Sequence, residues 1–147
     1  MKLCMIGTGY VGLVSGVCFS DIGNVVYCVD KDKKKIDLLN DGKVPIYEPG
    51  LEEILKRNHK KNRLIFTTDL KSAVLKSDII FICVGTPTKK NKNSADLRYV
   101  FSVAKELKKF IKKYKIIITK STVPVTTGDK IETILKSLKK KKISRYS

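Results

Sequence analysis

Short apolar runs alternate along the chain with longer segments in which apolar residues recur at helical spacing. The runs predict strands, and their nearly continuous apolar character is typical of strands covered on both faces. They comprise Leu3 to Ile6, Val25 to Val29, Leu64 to Thr67, Ile79 to Val84 and Ile116 to Thr119. This alternation predicts an α/β fold, a single domain built on a doubly wound, mostly parallel sheet.

The segments between the runs predict helices whose ends carry recognisable signals. Gly23 and Gly42 stand where a helix commonly stops, and Asp69 and Asp96 stand where a side chain can cap a helix start. The predicted helices are Tyr10 to Ile22, Lys33 to Asn40, Leu51 to Lys60, Leu70 to Lys76 and Leu97 to Lys113. The lysine-rich end after Leu138 shows no sign of further packing, so we expect the domain to span residues 1–138 and a basic tail to span residues 139–147.

Length and composition place the chain among ordinary globular domains. It has 147 residues, of which 42% are hydrophobic and 31% charged, enough for one core. No apolar run approaches the ~20 residues of a membrane span, and the opening residues become glycine-rich too soon for a secretory signal. These features predict a cytoplasmic protein with no membrane partner.

The formal net charge of +17 raises the question of a nucleic-acid partner, because clustered basic residues neutralise phosphates. The lysines are instead scattered over every predicted helix, without interleaved aromatic residues. The densest cluster, Lys139 to Lys142, falls in the predicted tail. Solvated lysine-rich faces are the simpler interpretation, so no nucleic-acid partner is expected.

Cysteine and histidine are placed unfavourably for a metal site or a disulfide framework. Cys4, Cys18, Cys28 and Cys83 form no CxxC pair, and the only histidine is His59. We therefore expect no metal, and we expect the cysteines to be small, reduced core residues. His59 lies on a polar face of a predicted helix, beside Lys60 and Lys61, and is expected to be solvated.

A glycine-rich segment with GxGxxG spacing directly follows the first predicted strand and opens the first predicted helix: Gly7, Thr8, Gly9, Tyr10, Val11 and Gly12. In that context Gly7 can make the tight turn, Gly9 can let a pyrophosphate approach the backbone, and Gly12 can let the helix lie close to the strand. The helix amino terminus also favours negative charge. The segment predicts a dinucleotide site in a Rossmann-like fold.

The same fingerprint requires a carboxylate at the end of the second strand to accept hydrogen bonds from ribose hydroxyls. Asp30 stands there, 18 residues after Gly12. A carboxylate at this point repels a 2′-phosphate, so NAD is the expected cofactor. The nearby lysines 31 and 33–35 weaken that preference, and a helix-capping role for Asp30 is the alternative.

Four blocks together resemble the UDP-glucose/GDP-mannose dehydrogenase family. The first is the glycine segment with its continuation Leu13-Val14-Ser15-Gly16, and the others are Pro45 to Leu51, Val84 to Thr88 and Lys120 to Val125. They occur in the family's order and cover nearly the whole chain. The third and fourth blocks follow predicted strand ends, where ligands of doubly wound sheets bind.

The resemblance implies roles for individual residues. One group would contact the adenosine and ribose portions of NAD: Val84, Gly85, Thr86, Pro87 and Thr88. Ser121 and Thr122 would lie near the nicotinamide, Thr122 would also hold the water used in the chemical step, and Lys35 would contact the ribose beside Asp30. The alternatives are ordinary loop signals and a capping role for Thr122. For Glu48 an exposed loop position and a structural role at the crevice mouth both stay open.

Family members oxidise the C6 alcohol of a nucleotide sugar through an aldehyde to a carboxylate, passing two hydrides to NAD and using a cysteine thioester. None of the four cysteines matches that cysteine, so the resemblance implies an NAD-binding domain that is truncated before the catalytic residues. Leu13-Val14-Ser15-Gly16 favours UDP-glucose as the substrate. The alternatives are a stand-alone or vestigial dinucleotide-binding protein without turnover, or a GDP-mannose dehydrogenase fragment. A homo-oligomer and a separately encoded downstream half both stay open as partners.

Overall fold

The computed structural model describes residues 1–88 and 95–136. Within these ranges the chain forms strands that alternate with helices. The strands are β1 (Lys2–Ile6), β2 (Val25–Val29), β3 (Leu64–Thr67), β4 (Ile79–Ile82) and β5 (Ile116–Thr119). The helices are α1 (Tyr10–Asp21), α2 (Lys33–Asn40), α3 (Leu51–Lys60), α4 (Leu70–Lys76), α5 (Arg98–Phe110) and α6 (Thr127–Lys136).

The strands form one parallel sheet in the order β3-β2-β1-β4-β5. Strands β2 and β3 extend the sheet to one side of β1, and β4 and β5 extend it to the other. The topological switch point therefore lies between β1 and β4. In sheets of this kind the crevice at the carboxyl ends of such strands is where ligands bind. The predicted α/β, Rossmann-like fold is confirmed.

Helices cover both faces of the sheet, and the alternation of side chains along each strand feeds two core layers. On β1, Leu3 and Met5 pack in the layer under α1, α2 and α3, whereas Cys4 and Ile6 pack in the layer under α4, α5 and α6. Because both faces are covered, nearly every residue of the central strand is buried. This explains the continuous apolar runs that predicted the strands.

Helix α1 lies close to the sheet because its inner face carries glycine and small residues. Its buried positions are Gly12, Leu13, Gly16, Val17 and Ser20. A Cβ atom added at Gly16 would stand 2.6 Å from the Cys28 Sγ atom, well inside van der Waals contact. The glycine therefore sets the distance between α1 and strand β2.

Several helix ends follow the predicted signals. Gly23 and Gly42 follow α1 and α2 with φ of 99° and 75°, the left-handed conformation that favours glycine after a helix. Asp69 caps α4 by accepting a hydrogen bond from the Ser72 N–H at 3.0 Å. The N-cap residue of α5 is Leu97 instead of the predicted Asp96, and the helix begins one residue later than predicted. The Asp96 carboxylate accepts hydrogen bonds from the N–H of Arg98, the first residue of α5, and from its guanidinium.

Other boundaries also differ from the predictions: β1 begins at Lys2 instead of Leu3, and α1 ends at Asp21 instead of Ile22. Strand β4 ends at Ile82 instead of Val84, because the chain beyond Cys83 leaves the sheet to line the crevice. Helix α5 ends at Phe110 instead of Lys113, since Ile111 is extended and packs against the second core layer. Helix α6 was not predicted, although its apolar positions Ile131, Ile134 and Leu135 have helical spacing. The predicted basic tail, including Lys139 to Lys142, lies outside the described residues.

Two side-chain expectations were wrong. Cys18 is exposed, because α1 buries the face that contains Leu13, Val17 and Ser20 and turns the neighbouring position outward. His59 is half-buried, its Nδ1 atom lies 2.9 Å from the Leu64 carbonyl oxygen, and its ring packs against Phe66. The chain reverses direction directly after α3 and brings the start of β3 back onto this histidine.

The remaining three cysteines are buried and free, as expected for small core residues. Burial raises the pKa of the Cys4 thiol to about 12 and that of the Cys83 thiol to about 11. Both thiols are therefore neutral at physiological pH and unsuited to nucleophilic chemistry. Within the described parts of the chain, no helix combines the length and the apolar character that crossing a membrane requires.

Candidate functional site

The glycine segment forms a tight turn between β1 and α1 at the carboxyl edge of the sheet. Gly7 has φ of 101° and donates its N–H to the Val29 carbonyl oxygen at 2.8 Å. A Cβ atom on Gly7 would stand 2.8 Å from the Cys83 carbonyl oxygen. The turn is therefore fixed between the ends of β2 and β4, and no larger residue fits at its first position.

The other two glycines of the segment differ in their surroundings. A Cβ atom on Gly12 would stand 1.9 Å from the Gly7 carbonyl oxygen, whereas a Cβ atom on Gly9 would meet nothing within 4 Å. Gly12 thus allows the close packing of helix and turn, and Gly9 opens the amino terminus of α1 to solvent. The first N–H groups of a helix have no partner within it, and the first turn of α1 contains no acidic residue. This end of the helix can bind an anion.

Asp30 follows β2 and is held against the glycine segment. Its Oδ2 atom accepts hydrogen bonds from the Thr8 N–H at 2.9 Å and the Thr8 hydroxyl at 2.7 Å. Its Oδ1 atom accepts one from the Asp32 N–H at 3.1 Å. The Lys35 ammonium lies 3.4 Å from Oδ2. These contacts fix the carboxylate at the edge of the crevice.

The pKa of Asp30 is set by two opposed effects. Desolvation by burial acts to raise it, but the hydrogen bonds from Thr8 and Asp32 and the charge of Lys35 together outweigh burial, so the pKa lies below its ordinary value. The group is ionised at neutral pH. It can accept hydrogen bonds from hydroxyl groups and repels further negative charge.

Thr8 and Tyr10 have their side chains engaged within the protein. Thr8 is buried, and both its hydroxyl and its backbone N–H donate to Asp30, so neither donor is available to a ligand. The exposed Tyr10 donates its hydroxyl to the Glu48 carboxylate, and this hydrogen bond raises the pKa of Tyr10. The contact places Glu48 beside the amino terminus of α1. Val11 is also exposed there.

A cavity of about 540 Å³ opens between the glycine turn, the end of β2 and the segment after β4. This volume is typical of small-molecule sites. The structure brings seven of the predicted site residues into its wall: Gly7, Gly9, Asp30, Lys35, Val84, Gly85 and Pro87. The other predicted residues lie around it and do not line it: Thr8, Tyr10, Val11, Gly12, Thr86, Thr88, Ser121 and Thr122.

The segments after β4 and β5 are joined by side-chain hydrogen bonds. The Ser121 hydroxyl donates to the Val84 carbonyl oxygen at 2.7 Å. The Thr86 hydroxyl donates to the Thr122 carbonyl oxygen at 3.0 Å. The structure therefore brings the third and fourth sequence blocks together, next to the glycine turn. Beyond them Thr88 pairs with Ala95 in an isolated bridge.

The cavity wall also contains residues that the sequence did not single out as site residues: Lys31, Thr68, Leu70, Tyr99, Ser102, Val103 and Glu106. Four of them lie on α5 at positions 99, 102, 103 and 106, one stripe of a helix. The stripe mixes aromatic, polar, apolar and acidic residues, so no sequence motif or periodicity identifies it as part of a binding site. It could be recognised only from the position of α5 above the crevice.

The arrangement fits a dinucleotide. The open helix end at Gly9 suits a pyrophosphate, the fixed Asp30 carboxylate suits the ribose hydroxyls, and the mixed wall beyond it suits a base. The negative charge of the Asp30 carboxylate favours a ribose without a 2′-phosphate.

Comparison with known proteins agrees with this geometry. A sequence model described as the UDP-glucose/GDP-mannose dehydrogenase family, NAD binding domain, matches residues 1–147. The UDP-glucose 6-dehydrogenase of Rhizobium meliloti (strain 1021) is 52% identical over 136 residues, which are 92% of this chain and 31% of the relative. UDP-glucose 6-dehydrogenase TuaD of Bacillus subtilis (strain 168) is 50% identical over 146 residues, 99% of this chain and 31% of the relative.

Among solved structures, a ternary complex of GDP-mannose dehydrogenase from Pseudomonas aeruginosa superimposes with a TM-score of 0.88 at 42% identity. The match covers 93% of this chain and 32% of that chain. The chain thus spans about a third of the length of the proteins it matches.

Proposed function

Because the chain belongs to the UDP-glucose/GDP-mannose dehydrogenase family, as its NAD-binding domain, we propose that it binds NAD in the cavity at the carboxyl edge of the sheet. The observation that carries this proposal is the Asp30 carboxylate, fixed by Thr8, Asp32 and Lys35 at the cavity edge. The pyrophosphate would lie against the amino terminus of α1 at Gly9, and the adenosine ribose would donate hydrogen bonds to Asp30.

The contacts within the turn assign different tasks to the other predicted residues. Gly7 and Gly12 shape the turn, and Thr8 serves the cofactor site by holding Asp30 in place through its hydroxyl and its N–H. Tyr10 and Val11 supply N–H groups from the first turn of α1. Lys35 balances the charge of Asp30 and reaches the ribose side of the cavity.

We assign the segments after β4 and β5 to the rest of the cofactor. In this proposal the cavity residues Val84, Gly85 and Pro87 contact the adenosine and ribose portions, with Thr86 and Thr88 beside them. Ser121 and Thr122 lie toward the nicotinamide. The hydrogen bond from Thr86 uses the Thr122 carbonyl oxygen, and the exposed Thr122 side chain is outside that bond. Its hydroxyl, which can donate and accept at once, would hold a water beside the reacting carbon.

For the whole protein we propose the oxidation of UDP-glucose at C6, with Thr122 as the catalytic residue that this chain supplies. Bound NAD accepts the hydride in such an oxidation. The relatives named UDP-glucose 6-dehydrogenase are 52% and 50% identical to the chain, and the GDP-mannose dehydrogenase structure is 42% identical. The sugar pocket and the thiol nucleophile would come from residues outside these 147. We further propose that residues 1–138 are the NAD-binding domain and residues 139–147 a basic tail, since Lys139 to Lys142 form a run of four lysines.

Calorimetric titration of the 147-residue chain with NAD and with NADP tests the cofactor proposal. We expect one NAD per chain and weaker binding of NADP, and we expect Asp30→Ala to weaken NAD selectively. Equal or tighter binding of NADP would contradict the role of Asp30.

The sugar is tested separately, on a longer chain that contains these residues. We expect kcat/KM to be higher for UDP-glucose than for GDP-mannose. A longer chain that oxidised only GDP-mannose would contradict the substrate proposal and leave the cofactor proposal standing.

A further inference from the structure

Basic residues surround Asp30, and the structure shows where three of their ammonium groups lie. Lys33 binds the Asp37 carboxylate one helical turn away at 2.8 Å. Lys35 lies 3.4 Å from the Asp30 carboxylate itself. Lys31 lies over the ring of Tyr99, with its Nζ atom 4.9 Å from the ring centre. Lys31 therefore differs from the other two because an aromatic face holds it instead of a carboxylate.

Lys31 is the residue directly after Asp30, and it lines the cavity together with Asp30 and Tyr99. An ammonium group at this position is well placed to attract the 2′-phosphate of NADP, since lysine binds phosphate as a point charge. That attraction would oppose the repulsion exerted by Asp30. Discrimination between NAD and NADP therefore depends on where the Lys31 ammonium is held.

We infer that Tyr99 is a specificity-determining residue, whose ring binds the Lys31 ammonium and keeps it from the 2′-phosphate of NADP. The inference rests on the proposed binding of NAD in this cavity. A ring within about 6 Å attracts an ammonium group through its electron-rich face. To reach a 2′-phosphate, Lys31 must give up that contact, so NADP gains less from the lysine than the sequence suggests.

The position of the ring is set by the fold. Tyr99 lies in the first turn of α5, and the adjacent Val100 is fully buried in the second core layer, with Ala104 one turn further on. The ring therefore stands on a packed helix, whereas Lys31 belongs to an exposed segment after β2. The position of the Tyr99 ring therefore determines where the flexible Lys31 ammonium group is held.

The test is calorimetric titration of NAD and NADP into the full chain, three single variants and the double variant that combines Lys31→Gln with Tyr99→Leu. Tyr99→Leu removes the aromatic face and keeps an apolar side chain, and the residue is 45% exposed, so the fold should tolerate it. Tyr99→Phe keeps the ring. Lys31→Gln removes the charge. An exposed cation–π contact changes an equilibrium constant by roughly two- to five-fold, and this sets the size of the expected effect.

We expect Tyr99→Leu to lower the ratio of the Kd for NADP to the Kd for NAD by roughly two- to five-fold. Tyr99→Phe should retain the wild-type ratio. In the double variant, Lys31→Gln should abolish the effect of Tyr99→Leu, because the two residues act through one contact. The NADP affinity of Tyr99→Leu should also fall more steeply with salt than that of the wild type.

An unchanged ratio in Tyr99→Leu, or an equal loss of both affinities, would overturn the inference, because Tyr99 would then be only part of the cavity wall. In either case, if the wild-type chain binds NAD more tightly than NADP, the proposed function stands. Failure of the wild-type chain to bind NAD at all would contradict the proposed function, and this inference with it.

Discussion

The glycine turn offers a matched pair of substitutions, Gly12→Ala and Gly9→Ala, that separate folding from cofactor binding. At Gly12 the new methyl group would stand 1.9 Å from the Gly7 carbonyl oxygen and 3.0 Å from the Cys83 Cβ atom. A carbon atom and a non-bonded oxygen atom cannot approach so closely, and the obstacle is backbone that no rotamer change can remove. Helix α1 would have to move away from the turn by more than an ångström.

The loss of stability in Gly12→Ala follows from the packing that this movement of α1 disrupts. Leu13 and Val17 are fully buried on the inner face of α1, so displacing the helix loosens the first core layer. Overpacking of a core typically costs ~1–3 kcal/mol, and a backbone clash belongs at the upper end. We expect Gly12→Ala to reduce the free energy of unfolding by about 3 kcal/mol, which lowers the Tm of a domain of this size by roughly 6–12 °C.

Gly9→Ala should behave in the opposite way. A methyl group there meets no protein atom within 4 Å, and the φ of −69° is ordinary for alanine. The stability change should stay within about 1 kcal/mol. The methyl group would nevertheless occupy the approach of the pyrophosphate to the backbone. Loss of one charge-assisted hydrogen bond there corresponds to a roughly tenfold or larger increase in the Kd for NAD.

Thermal unfolding followed by circular dichroism, together with NAD titration of each variant, checks both expectations. Wild-type NAD affinity in Gly9→Ala would refute the placement of the pyrophosphate at the start of α1. Wild-type stability in Gly12→Ala would refute the close packing of α1 on the turn.

Three further outcomes are expected. Thr8→Val removes the hydroxyl that donates to Asp30 and should lower stability by about 1–2 kcal/mol at pH 7. The folded-state pKa of Asp30 is lowered, so its carboxylate stabilises the fold above its unfolded pKa and this contribution is lost as pH falls through the folded pKa. The free energies of unfolding of the variant and the wild type, measured in urea, should therefore converge as pH falls, and a difference that did not shrink in acid would argue against this origin. Ser102→Trp, on the exposed side of α5 facing the cavity, should abolish NAD binding measured by calorimetry without lowering the Tm, and intact binding would place the cofactor elsewhere. The 147-residue chain alone should form no NADH from UDP-glucose in a prolonged assay, because in the proposed function the sugar pocket and the thiol nucleophile would come from outside it. Turnover by the chain alone would contradict this, and activity only on mixing with a separately expressed downstream half would identify a split enzyme.

The sequence predicted the strands and the glycine turn well because their signals are local. Each strand is a continuous apolar run, and Gly7, Gly9 and Gly12 have fixed spacing relative to the first strand and helix. The position of Asp30 follows from the end of the second run. What the sequence could not provide is the carboxylate's partner, because the contact with Thr8 spans 22 residues and depends on how the turn folds back on β2.

The predictions failed where tertiary packing decides the outcome. Asp96 is an exception, because a local contact with the Arg98 guanidinium two residues away holds its carboxylate and Leu97 is the N-cap residue. Helix α6 begins with Thr127 and Gly128, which are weak helix formers, and it owes its place to Ile131 in the second core layer. The α5 stripe became part of the cavity only because the helix crosses above it.

The proposal that NAD binds in the cavity at the carboxyl edge of the sheet can be tested residue by residue. The measurement is the change in each backbone amide chemical shift while the 147-residue chain is titrated with NAD. We expect the largest shifts at Gly9, Asp30, Gly85 and Ser102, which line one cavity. Residues of α3, which packs in the first core layer and contributes nothing to the cavity wall, should remain unshifted. Shifts absent from Gly9 and Asp30, or concentrated on α3, would contradict the proposal.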